Sequence, residues 1–200
     1  MKEDILEVNH LKKCFGRYSV LKDISFRMGS GEMIGIVGEN GSGKSTLLKI
    51  VSGLVRPTKG NFTLRGPIGF CPQELQVFET LTVRENFQFF ASAYGIHGWE
   101  ETKDCLLDRF HFRQYEHRLV SQLSGGTKQK LNLSLALLNS PELFLLDEPY
   151  SGFDWETYLR FWDYADDMRS KGKSILIVSH FVYDSARYTK LFELKNGVLK

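Results

Sequence analysis

The chain has 200 residues, 42% of them hydrophobic and 25% charged, which is enough apolar material for one domain with a well-buried core. Its 26 basic and 24 acidic side chains nearly cancel, which argues against the strongly basic face of a nucleic-acid binder, so no nucleic-acid partner is expected. The three cysteines, Cys14, Cys71 and Cys105, are odd in number and match no metal spacing; they read as ordinary buried thiols in a reducing cytosol rather than a disulfide framework.

The first residues are charged, and no apolar run approaches the ~20 residues needed to cross a bilayer, so neither a signal peptide nor a membrane span is expected. Residues 5–28 read as strands, with Ile24, Phe26 and Met28 alternating against Ser25 and Arg27. A turn at Ser30-Gly31 leads into Met33–Val37, a short apolar run typical of a buried parallel strand. A glycine-rich loop follows, then a helix over Ser45–Ser52 that stops at Gly53. Pro57–Gly60 reads as a turn, and Asn61–Leu64 and Ile68–Phe70 as strands. Thr82-Val83-Arg84-Glu85 fits a capping box opening a helix to about Tyr94, and Glu101–Phe110 reads as another. An apolar helix follows Ser124 through Leu131, Leu135 and Leu138. Leu143–Leu146 is a second buried strand, Trp155–Ser170 a helix closed by Gly172, and Ser174–Val178 a third core strand. A helix around Phe181–Tyr188 and a hairpin turning at Asn196-Gly197 complete the pattern.

Gly38-Glu39-Asn40-Gly41-Ser42-Gly43-Lys44-Ser45 matches G-x-x-x-x-G-K-[ST] between a predicted strand and a predicted helix, the context expected of a phosphate-binding loop. Its glycines let the backbone fold tightly around a phosphate, and the helix start adds its positive dipole end. Lys44 would reach the β- and γ-phosphates, and Ser45, backed by Thr46, would offer a hydroxyl to Mg²⁺. Asp147 and Glu148 close a second apolar strand, where ligands bind in an open α/β sheet.

Downstream of this loop lies Leu123-Ser124-Gly125-Gly126-Thr127. The two segments in that order resemble an ATP-binding cassette (ABC) ATPase, and the resemblance covers essentially the whole chain. It implies an α/β fold with a P-loop NTPase, RecA-like core of mostly parallel strands, an N-terminal antiparallel β subdomain and an inserted helical subdomain. Residues 1–200 would form a single ABC ATPase domain, with 1–75 and 140–200 as the catalytic core and 76–139 as the helical insert. By the same resemblance, Asp147 orients Mg²⁺, Glu148 polarises the attacking water, and His180 is the switch residue on the γ-phosphate. Gln73, in Cys71-Pro72-Gln73-Glu74, resembles the glutamine that contacts Mg²⁺ or water and joins core to insert. Phe15 resembles the aromatic residue that stacks on adenine.

Ser124, Gly125 and Gly126 would meet ATP held by the P-loop of a second cassette, identical or different, beside a loop containing Asp154. The resemblance thus implies ATP and Mg²⁺ as ligands, and a cytoplasmic ATPase held at the inner face of the cell membrane by a separate transmembrane permease subunit. Leu75, Phe78 and the Thr82–Tyr94 helix lie where the family docks its permease. The run from Leu81 to Phe87, with Phe89-Phe90 and Tyr94-Gly95, looks like cassettes that serve drug or polysaccharide exporters. Two letters depart from the family pattern: Thr127 stands where glutamine is usual, and Phe153 where leucine is usual. The alternative is a soluble ABC ATPase acting on ribosomes or DNA, but its customary tandem cassette, coiled-coil insertion or basic arm is not found in these residues.

Overall fold

The computed structural model describes residues 4–180, 182 and 184–200. Two long strands, β1 (Asp4–Phe15) and β2 (Tyr18–Gly29), pair antiparallel, and β4 (Lys59–Leu64) adds to the free side of β1. The five strands that follow in space, β8 (Lys190–Lys195), β3 (Met33–Val37), β7 (Ser174–Ser179), β6 (Leu143–Asp147) and β5 (Ile68–Cys71), run parallel to one another. The two-residue strand β9 (Val198–Leu199) joins both groups into one sheet, pairing with β2 on one side and β8 on the other.

In β3, β6 and β7 the apolar runs are continuous rather than alternating because both faces of these central strands are covered. Leu143 and Leu145 point into one core with Leu47, Leu48 and Val51 of α1 (Lys44–Val51). Phe144 and Leu146, one residue out of phase, point into the other with Leu131 of α4 (Gly125–Leu137) and Phe161 of α5 (Trp155–Ser170). Each such fully buried aliphatic or aromatic side chain contributes roughly 1.5–3 kcal/mol. Among the described residues no helix is long and apolar enough to cross a membrane.

Between β5 and β6 the chain makes α2 (Val83–Tyr94), α3 (Trp99–Arg109) and α4. The capping box forms: the Thr82 hydroxyl accepts from Glu85 N–H at 3.2 Å, and the Glu85 carboxylate accepts from Thr82 N–H at 2.7 Å. Helix α4 lies hard against β5, and Gly69 is the reason. A Cβ there would come within 2.2 Å of the Ala136 carbonyl oxygen, so only a residue without a side chain lets helix and strand approach this closely.

Three local expectations need correction. Strand β4 begins at Lys59, inside the expected turn, because Gly60 takes a positive φ of 79° and packs against the β1 backbone at Asn9 and His10. Of the helix expected over Phe181–Tyr188, residues 181 and 183 lie outside the described residues; Ser185–Arg187 forms only one 3₁₀ turn, opened by an Asp184 carboxylate that accepts from Ala186 N–H. The cysteines are all free, but only Cys71 is buried: Cys14 is half-buried and Cys105 exposed.

Gly69→Ala is expected to lower the unfolding free energy by about 2–3 kcal/mol, the usual cost of overpacking. Gly125→Ala, at a position where a Cβ meets nothing within 4 Å, should leave stability nearly unchanged. Urea titrations of the two variants check the contrast.

Candidate functional site

The parallel strands deliver their C-terminal ends to one edge of the sheet, and the loops leaving that edge build a cleft of about 260 Å³. Its lining includes Asn40, Gly41, Gly43, Lys44, Ser45 and Thr46 from the glycine-rich loop, Gln73 after β5, Asp147 and Glu148 from β6, and His180 after β7. Val20 of β2 also lines it, a residue that sequence reasoning missed because an apolar strand position carries no chemical signal.

The loop between β3 and α1 depends on Gly43. Its φ is 107°, and a Cβ would lie 2.7 Å from the Leu21 side chain. Gly43 also caps α1 without a side-chain hydrogen bond, so the first N–H groups of the helix have no side-chain acceptor there. The Ser42 hydroxyl is buried without a hydrogen-bond partner. Open helix-start donors and a spare hydroxyl fit an anionic phosphate group. The Lys44 ammonium is held over the loop, donating to the carbonyls of Gly38 at 2.6 Å and Glu39 at 3.1 Å. Burial pulls its pKa below the ordinary value, opposed by the negative charges of Glu148 and Asp147. Gly38 itself sits behind the loop, where a Cβ would meet the Leu194 carbonyl oxygen at 2.4 Å.

Asp147 is buried at the end of β6. Burial raises its carboxyl pKa, against a lowering hydrogen bond from Ser45; the neighbouring charge of Glu148 raises it and that of Lys44 lowers it. The contact between Ser45 and Asp147 brings together a hydroxyl and a carboxylate, hard oxygen ligands of the kind Mg²⁺ takes. No three His, Cys, Asp or Glu side chains converge as a metal cage among the described residues.

Glu148 has a positive φ of 49°, a conformation costing a non-glycine residue about 1 kcal/mol or more. The strain is held by its N–H donating to the Val178 carbonyl at 3.0 Å and by its own carbonyl accepting from Ser151 N–H at 3.1 Å. The turn aims the side chain at β7, where the Ser179 hydroxyl donates to Oε2 at 3.0 Å. Oε1 is buried with no hydrogen-bond partner, and His180 Nε2 stands 3.5 Å from it. One carboxylate oxygen is therefore fixed and the other is left with unused acceptor capacity, the arrangement a general base requires.

The other expected site residues stand apart from this cleft. Ser124 caps α4, its hydroxyl accepting from Thr127 N–H at 3.3 Å and lying 2.9 Å from the Thr127 hydroxyl. Thr127, in place of the family's usual glutamine, thus closes back on the helix start. Gly126 packs against the Gly152 carbonyl oxygen, which a Cβ would approach to 2.6 Å, so this glycine serves contact with the chain's own loop. Asp154 caps α5, accepting from Thr157 N–H at 2.8 Å. Neither Ser124–Gly126, Asp154 nor Phe15 lines the cleft. Phe15, 52% exposed at the end of β1, is no core residue, and the Lys13 ammonium lies 4.6 Å from its ring centroid. Cys71 lies beside the site but is inert: burial, with the charge of Asp147, pushes its thiol up to about 12.

Sequence reasoning also missed Ser179, Gln129 and Asn132. Gln129 donates to the Pro149 carbonyl at 3.3 Å, directly after Glu148, and Asn132 bonds the loop that carries Gln73. The available signal was two amides on a helix that is otherwise buried through Leu131, Leu133, Leu135 and Leu137.

Comparison with known proteins places the chain among relatives of one kind. The family profile described as "ABC transporter" matches residues 21–151. The linearmycin resistance ATP-binding protein LnrL of Bacillus subtilis is 31% identical over 89% of this chain and 62% of its own length. The Nod factor export ATP-binding protein I of Sinorhizobium fredii is 34% identical over 93% of this chain and 59% of its own. The chain thus spans about three fifths of the length of these relatives. A solved structure titled "Structure of ATP binding subunit of ABC transporter" superposes with a TM-score of 0.91 at 29% identity, covering 98% of this chain and 88% of that one.

The raised pKa of Asp147 yields a stability prediction. Its folded-state pKa lies above the unfolded value, so the ionised carboxylate destabilises the nucleotide-free fold at neutral pH, and this cost disappears as pH falls below the ordinary value of 3.8. Asp147→Asn should raise Tm at pH 7.5, with a gain that shrinks as pH is lowered toward 4. Thermal melts of both proteins across that range test it; a gain that grows on acidification would reverse the sign argued here.

Proposed function

Because the chain belongs to the ABC transporter family of ATP-binding cassettes, we propose that it is the ATP-hydrolysing subunit of a transporter, driving a separate transmembrane permease. The observation that carries this reading is the convergence of Lys44, Ser45, Gln73, Asp147, Glu148 and His180 on one cleft while Ser124–Gly126 stand outside it. The cleft holds what is needed to grip a triphosphate and activate water, but lacks the helix start that the family pattern places on the γ-phosphate. A second cassette, docked head-to-tail, supplies that helix start and receives this chain's own in return.

In this reading Lys44 and the loop N–H groups bind the β- and γ-phosphates, and Phe15 packs on the adenine at the rim. Ser45, Asp147 and Gln73 would hold Mg²⁺, which would supply neutralisation of phosphate charge. Glu148 accepts a proton from the attacking water through the free Oε1, while Ser179 fixes Oε2. The water oxygen bonds the γ-phosphorus as the bond from that phosphorus to the β-phosphate oxygen breaks, and ADP leaves with that oxygen. His180, close to Oε1, hydrogen-bonds the γ-phosphate and registers its loss. Hydrolysis removes the charge that both cassettes grip, and the clamp opens.

The permease docks on the segment 76–139, the helical insert of the ATPase core. There Phe78, Phe89 and Tyr94 are exposed around a half-buried Phe90, with Phe78 and Phe89 rings 4.5 Å apart edge-on. Such an exposed aromatic cluster suits an apolar partner helix. The location follows: the cytoplasmic face of the cell membrane, held there by the permease. Export is the favoured direction, in keeping with relatives named for resistance and for export.

Glu148→Gln should lower ATP turnover by at least about 100-fold, the usual worth of a general base, while leaving ATP binding intact. The variant should elute as a dimer in MgATP and as a monomer without nucleotide on size-exclusion chromatography. Normal turnover, or a monomer in saturating MgATP, would sink the assignment.

A further inference from the structure

Helix α4 begins at Ser124, and two turns later it carries Asn132, which is only 3% exposed. The Asn132 amide nitrogen donates to the Pro72 carbonyl at 3.1 Å and reaches Cys71 Sγ at 3.4 Å. Its amide oxygen accepts from Gln76 N–H at 2.9 Å. Pro72 and Gln76 flank Gln73 on either side, so one side chain grips both legs of the loop that presents Gln73 to the cleft. The Asn132 side chain is buried while its two backbone bonds are part-buried, and the grip adjoins the close approach of Gly69 in β5 to Ala136 of α4.

We propose that Asn132 is a positioning residue for Gln73: it fixes the span Pro72–Gln76 to helix α4, and so ties the glutamine's place in the cleft to the helix that starts at Ser124. This rests on the catalytic reading of the cleft given above. Only a residue with a donor and an acceptor on one planar group does this, because the Pro72 carbonyl needs the first and the Gln76 amide the second. Leucine keeps the branched outline with somewhat more bulk and supplies neither bond; it leaves the part-buried Pro72 carbonyl and Gln76 N–H without this partner, which loosens the loop without emptying the core.

The test uses the full chain. In Asn132→Leu the Gln76 amide should exchange its hydrogen at least about tenfold faster than in the unmodified protein. ATP turnover should fall about tenfold in kcat with little change in KM, since the phosphate grip of Lys44 is untouched. The deciding measurement is a double-mutant cycle with Gln73→Ala: if Asn132 acts through Gln73, adding Asn132→Leu to Gln73→Ala should cost little further kcat. Losses that multiply, or unchanged exchange at Gln76, would overturn the proposal. Asn132→Ser, polar but too short to bridge, takes the place of the leucine variant should that fail to fold, with the same expectations. An unmodified protein without ATPase activity would instead overturn the catalytic reading, and the positioning role with it, even where exchange at Gln76 responds.

Discussion

The parallel pairing of β5, β6, β7 and β3 is the constraint on which the site depends. Strands β3, β6 and β7 are buried on both faces, and the register sets Ile36 beside Val178 and Asp147 beside Val178. Residues that end adjacent strands therefore end at the same level. That is how a loop near residue 40, a carboxylate pair near 147 and a histidine at 180 come to share one cleft. Nothing local to any of these segments could bring them together. The cost is loop closure over more than a hundred residues, offset by the apolar area that two packed faces remove from water.

Helix α4 is the second organising element. It meets β5 through a missing side chain at Gly69, the loop after β5 through Asn132, the loop after β6 through Gln129, and the turn before α5 through Gly126. Its two buried amides, Gln129 and Asn132, bond to loop backbone rather than to each other. A buried amide left unpaired costs about 1–3 kcal/mol, so each of these contacts resists sliding of the helix over the loops. The helix that starts at Ser124 is thereby mechanically continuous with the loops of the cleft.

The cleft also shows where stability gives way to chemistry. Glu148 sits in a left-handed backbone conformation, Asp147 is ionisable and buried, and Ser42 and Glu148 Oε1 lack partners. Away from the cleft, charges pair in the buried contact of Lys103 with Glu116 and in the Arg113 fork on Asp104 and Asp108. The strain at Glu148 and the unmet Ser42 and Glu148 oxygens are tolerable because the two cores on either side hold the strands that carry them.

Much of this was legible in the residues. The glycine-rich loop, the carboxylates closing an apolar strand and the capping box at Thr82 are local patterns with local causes, and they picked out residues that line the cleft and strands that are buried. The hairpin at Asn196-Gly197 was equally plain, because positive φ at both positions suits that pair. What the sequence could not carry is adjacency. The Ser179 contact with Glu148, the Asn132 grip on the Gln73 loop and the place of Val20 join residues 31 to 60 positions apart or more, and their side chains look unremarkable in isolation. Only the tertiary structure decided that Ser124–Gly126 lie outside the cleft their own chain builds, because a helix start is a local feature but the phosphate it would face is set by how whole strands stack.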